Sequence, residues 1–159
     1  MQSAQVTSAP SPMTLLDEDG TEHEYQVTPL TDRDFDSLDS WIQSRVISVT
    51  RASLKNNPDV TPLEYQLEMK LAMKASIGVS LYEDNGSDTI NTPLGVARLA
   101  WQMTRKEHSE LGSDHFSRYS RQGENYNEIL RLFRLQNTKH LEDIEVEDKG
   151  KGEDGESKN

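Results

Sequence analysis

Thr31 to Leu54 reads TDRDFDSLDSWIQSRVISVTRASL, and this stretch decides the fold class. Thr31 can cap a helix, Asp34 sits three residues on, and Asp32, Asp34 and Asp36 place negative charge at the positive end of the helix dipole. Phe35, Leu38, Trp41, Ile42, Val46, Val49 and Ala52 then recur at three- and four-residue spacing, the period of one helical face, and Asn56-Asn57-Pro58 ends the run. A helix is expected over 32–54. Thr61-Pro62-Leu63-Glu64 and Thr92-Pro93 repeat the device, with proline at the first helical position.

The first of these opens a helix expected over 62–82. Its apolar face is Leu63, Leu67, Leu71, Ala75 and Val79, and the small residues Ala72, Ala75, Ser76 and Gly78 let another helix come close. The second opens a helix expected over 93–108, apolar over a wide arc through Leu94, Val96, Ala97, Leu99, Ala100 and Trp101, and expected to be the most buried. A last helix over 124–136 presents Tyr126, Ile129, Leu130 and Phe133, after a short turn at Ser113-Asp114 that carries Phe116 and Tyr119. EDNGSDTIN, between the second and third helices, reads as loop by composition.

Upstream, TLLDEDGTEHEYQV sets two short strand-like runs around Asp19-Gly20, a dipeptide suited to a tight turn, so a small hairpin is expected near 14–28. It is too polar to stand alone and should lean on the helices or a partner. Residues 1–12 and 138–159 have little to bury and are expected to be unstructured. The expected architecture is therefore mainly α: one compact helical domain of about four helices over 13–137, with an N-terminal β-hairpin and disordered termini.

Composition fits a modest core. Of 159 residues 33% are hydrophobic, and the formal charge is −11. That acidity sits at the ends: eight acids against one base over 13–36, and eight against three over 141–159. Such a balance disfavours sequence-independent nucleic-acid binding, which runs on Lys and Arg. The bases of the later half (Arg98, Arg105, Lys106, Arg118, Arg121, Arg131 and Arg134) read as a solvated helix face paired with local acids. With no run of about 20 apolar residues, no membrane span is expected. The opening MQSAQVTSAPSP has the form of no secretory signal, so a cytoplasmic location is expected. There is no cysteine, which excludes disulfides, Cys-ligated metals and thiol catalysis.

Nothing in the chain spells an active site. His23, His108, His115 and His140 make no HExxH pair and read as surface histidines rather than metal ligands. Ser113-Asp114-His115 are neighbours in sequence without triad geometry, there is no GxSxG elbow, P-loop or GxGxxG, and the Asp17–Gly20 and Asp84–Asp88 runs lack the ligand set of an EF-hand. No enzyme, cofactor or metal is expected. The candidate functional residues are apolar instead: Trp41, Ile42, Met69, Met73 and Trp101, as core anchors or as the lining of a groove that receives a partner helix.

Two stretches resemble a known family. LTDRDFDSLDSWIQSRVISVTRASL (Leu30–Leu54) carries Leu30, Thr31, Asp34, Phe35, Leu38, Trp41 and Ile42 at the spacing of that family's opening helix. GVARLAWQMTRKEHSEL (Gly95–Leu111) carries Gly95, Arg98, Leu99, Trp101, Arg105, Lys106 and His108 of a later one. With the small-residue helix between them and an acidic tail, they look like the small tail assembly chaperones of long-tailed bacteriophages, over about half the chain. The resemblance implies a non-enzymatic helical protein in the host cytoplasm that binds the tape-measure protein and assists tail-tube assembly. The tail-tube protein and a second copy of the chain are further candidate partners, with no role for nucleic acid or membrane. A structural tail or head-completion component of the virion is the alternative.

Overall fold

The computed structural model describes residues 9–81 and 84–138, with the backbone alone at 84–86. Strands β1 (Ser11–Leu16) and β2 (Glu22–Val27) form an antiparallel hairpin with Met13 opposite Tyr25 and Leu15 opposite His23. The turn needs Gly20, whose φ of +83° lies in the left-handed region, and Asp19 accepts the Thr21 N–H at 3.0 Å. Alternation does the rest: Met13, Leu15, Tyr25 and Val27 face inward and are buried. The hairpin begins earlier than expected because the register carries on to pair Ser11 with Val27.

Five helices follow among the described residues: α1 (Asp32–Lys55), α2 (Pro62–Ser76), α3 (Asp84–Ile90), α4 (Pro93–Thr104) and α5 (Gly123–Gln136). Thr31 and Thr61 each close a capping box, with Asp34 and Glu64, and Thr92 caps α4 through the Gly95 N–H. The hairpin leans on the helices, as its polarity requires. Asn125 of α5, almost fully buried, accepts the Leu16 N–H at 2.8 Å and donates to the Leu16 carbonyl at 2.8 Å, standing in for a neighbouring strand. Asn137 accepts the Leu30 N–H at 3.0 Å, and the Met103 carbonyl takes the Thr28 N–H at 2.9 Å.

The third expected helix is indeed the most buried, with eight of twelve residues of α4 inside. It stops at Thr104, short of 108. Its Met103 carbonyl is engaged by Thr28, and the Thr104 hydroxyl bonds back to the Ala100 and Trp101 carbonyls. The second expected helix is also shorter, ending at Ser76 rather than 82. There Ser76 Oγ donates to the Met73 carbonyl and Gly78 lies outside the helix. The chain then returns to α1, where the Val79 carbonyl accepts from Gln43 at 3.2 Å and the Leu81 N–H donates to Asp39 at 2.7 Å.

One segment expected as loop is helix α3. Composition gave it no propensity; packing against α1 and α4 and burial of Ile90 supply what propensity does not. Gly95 allows it: a Cβ there would stand 2.4 Å from the Ile90 carbonyl oxygen, so only glycine lets α4 start against the end of α3. No helix of the described residues is long and apolar enough to cross a membrane. The stretches 1–8 and 139–159, where unstructured ends are expected, lie outside the described residues.

Candidate functional site

α1 buries only its first half, through Phe35, Leu38 and Ile42. Its second half and α2, joined by the short 56–61 connection, form an antiparallel helical hairpin standing on the core. The side of α2 that is covered carries Met69 and Ser76, with Tyr65 and Ala72 half-buried. At 100° per residue, Leu63, Leu67 and Leu71 fall nearly opposite, and they are 76%, 56% and 52% exposed. The face read from the sequence as the apolar side of this helix is thus turned outward. Of the expected small residues Ala72 and Ser76 serve close packing, while Ala75 and Gly78 are exposed. Among the described residues, seven of the eight exposed large hydrophobics (Val49, Leu63, Leu67, Leu71, Met73, Ile77 and Leu94) belong to this hairpin, its immediate end or the adjoining start of α4. That clustering distinguishes the region from ordinary scattered surface leucines.

Beside the hairpin lies an open groove of about 840 Å3. It is lined by Trp41, Val46 and Val49 of α1, by Pro93 and Leu94 of α4, by Ala75 and Val79, and by Ser117 and Arg121 from the segment before α5. Its charges are Arg45, Arg121 and Asp88, and neither arginine has an ion pair among the described residues.

Trp41 leads from the groove into a ladder of rings and guanidinium groups. The Arg98 guanidinium carbon lies 5.9 Å from the Trp41 ring centre and 4.4 Å from that of Trp101, with Arg105 on Trp101 at 5.3 Å. Burial, then the nearby Arg105, pushes the Arg98 pKa below its ordinary value, and its Nε is buried without a hydrogen-bond partner among the described residues. Trp101 donates its indole N–H to the Leu111 carbonyl at 3.2 Å. Arg105 reaches Asp34 at 3.9 Å, so it and Arg131, paired to Glu128, fit the expected solvated, acid-paired face, whereas Arg98 does not.

No protein-family model, curated protein or solved structure matches this chain.

Of the residues singled out from the sequence, Trp41 and Trp101 are half-buried and come together across Arg98; Ile42 is fully buried in the core. Met69 is on the covered face of α2, and Met73, one turn on at its flank, is 55% exposed. Sequence reasoning missed Arg45 with Arg121 in one groove lining and Arg98 against Trp41, because each pair is drawn from different segments. The one available signal was the spacing of Arg98, Trp101 and Arg105, three and then four residues apart on a single helix face.

The histidines also differ from the surface reading. His108 and His115 pack edge-on against Tyr25, His23 against Tyr119, and His115 Nε2 meets the Tyr25 hydroxyl at 2.8 Å. His108 Nε2 accepts the Gln26 N–H at 2.9 Å, fixing β2 to the turn after α4. Burial, then Arg118, lowers the His115 pKa, and burial raises that of Tyr25. No group of three or more His, Cys, Asp or Glu among the described residues could hold a metal ion. His140 lies outside the described residues.

Proposed function

We propose that this protein is a non-enzymatic tail assembly chaperone of a long-tailed bacteriophage, which binds the tape-measure protein and keeps it available for tail-tube assembly. The observation that supports the reading is the concentration of exposed apolar side chains on the α1–α2 hairpin beside an open apolar groove. A long, partly apolar client presents amphipathic helices, and a helix can lay its apolar face along Leu63, Leu67 and Leu71 or into the Trp41–Leu94 groove. The net charge of −11 keeps such a complex soluble by mutual repulsion.

The test is co-expression with a tape-measure protein encoded beside this chain, followed by pull-down at low and high salt. Contact made through leucines and tryptophan survives salt, whereas a charge-driven partner is released by screening. Absence of co-purification together with no gain in client solubility ends this reading.

A further inference from the structure

Leu63, Leu67 and Leu71 stand exposed on one row of every fourth residue along α2, the kind of ridge by which helices most often interlock. With Leu67 turned to the viewer, Glu64 and Glu68 fall about 60° and 100° to one side, and Lys70 and Lys74 about 60° and 20° to the other. All four charges are exposed, and none has an ion pair among the described residues. Within the helix the pattern is unfavourable, because Glu64 with Glu68, and Lys70 with Lys74, are like charges one turn apart. A surface with the same leucines and the two flanks exchanged relieves both pairs.

We propose that two copies of the chain supply that surface to each other, pairing through the outer face of α2 with the helices parallel about a two-fold axis. Leu67 then meets Leu67 of the second copy, and Glu68 meets its Lys70. Along the axis these two charges differ by only about 3 Å in height, within reach of both side chains. Orientation is specified as well. An antiparallel pair sets like flank on like flank, with Glu68 about 3 Å in height from Glu64 of the other copy. The net charge of −11 opposes association in general, but residues 45–76, which span this hairpin, carry five bases and three acids. One helix laid on another is a small interface, so the pair is weak, with a Kd of about 10–100 μM. In dilute protein the leucines stay open to a client, and they are covered where the chain accumulates.

Glu64 also holds the Thr61 N–H at 2.9 Å, so the charges to reverse are Glu68 and Lys70. In sedimentation equilibrium of the full chain from about 5 to 500 μM, the wild type should pass from monomer to dimer. A chain monomeric throughout overturns the proposal, as does a Leu67→Ser variant that pairs like the wild type. Glu68→Lys and Lys70→Glu should each weaken pairing about tenfold, since each sets like charge against like twice per dimer. Neither loss can come from a weakened helix, because each reversal turns a like-charge pair one turn apart into an opposite-charge pair. An equimolar mixture of the two variants should pair at least as tightly as the wild type, one copy offering bases and the other acids at positions 68 and 70. Single reversals that tighten pairing, the result an antiparallel arrangement gives, overturn the proposal, and so does a mixture that fails to restore it. No client enters these measurements, so the pairing and the tail-assembly reading stand or fall separately.

Discussion

Replacing Leu63, Leu67 and Leu71 together by serine separates binding from folding. The three side chains are 76%, 56% and 52% exposed, so they retain nearly two leucine equivalents of apolar surface still in contact with water. Fully burying one leucine is worth about 1.5–3 kcal/mol, so a client that covers all three gains about 3–5 kcal/mol from them, and about half that if coverage is partial. The triple variant should therefore lose at least tenfold in client affinity. Its stability should move by no more than about 0.5 kcal/mol per site, the usual range for surface positions. Ile42→Ala, which empties a fully buried site, should by contrast cost about 2–5 kcal/mol. The assay is paired: urea unfolding followed by tryptophan fluorescence, and titration of the co-expressed tape-measure protein. A triple variant as unstable as Ile42→Ala would refute the placement of the outer α2 face, and unchanged affinity in a folded variant would refute its role.

Asn125→Ala should cost about 2–3 kcal/mol in urea unfolding, because it leaves both backbone groups of Leu16 without their partner; a loss under about 0.5 kcal/mol would mean that water replaces the amide. Gly95→Ala should destabilise by about 1–3 kcal/mol despite alanine's better helix propensity, since its Cβ must push back the end of α3; stabilisation in the same assay would refute the close approach. His115 has a pKa below 6.5 when folded, so between that lowered value and the unfolded one the unfolded chain binds more protons. Stability should hold above neutral pH and decline as pH falls through 6.5, and His115→Gln should flatten that decline in unfolding curves taken at stepped pH.

The elements with local signals were the legible ones. Thr31 and Asp34, Thr61 and Glu64, and Thr92 before Pro93 specify helix starts through bonds made within a few residues, and Asp19-Gly20 specifies its turn in the same way. Helix ends were less legible, because the Met103 carbonyl is claimed by Thr28, 75 residues away in sequence. Helix α3 was invisible for a related reason, being held by contacts with α1 and α4 rather than by its own residues. The candidate site was half legible. Periodicity found apolar stripes on α1 and α2, but a stripe of leucines looks the same whether it meets the core or the solvent, and α2 carries apolar residues on both sides. Arg45 with Arg121, and Arg98 with Trp41, could not be joined from the sequence, since only folding brings α1, α4 and the turn before α5 together.

The clasp between Leu16 and Asn125 also sets a clock for biosynthesis. The two residues are 109 apart in the chain, and at about 5–20 residues per second the ribosome needs about 5–20 s to make the second after the first. A hairpin forms in about 1–10 μs, so the strands can meet many times over while the helix they rest on does not yet exist. Met13 and Leu15 thus face water until α5 has left the exit tunnel, and the domain seals only when nearly all of its described length has been translated.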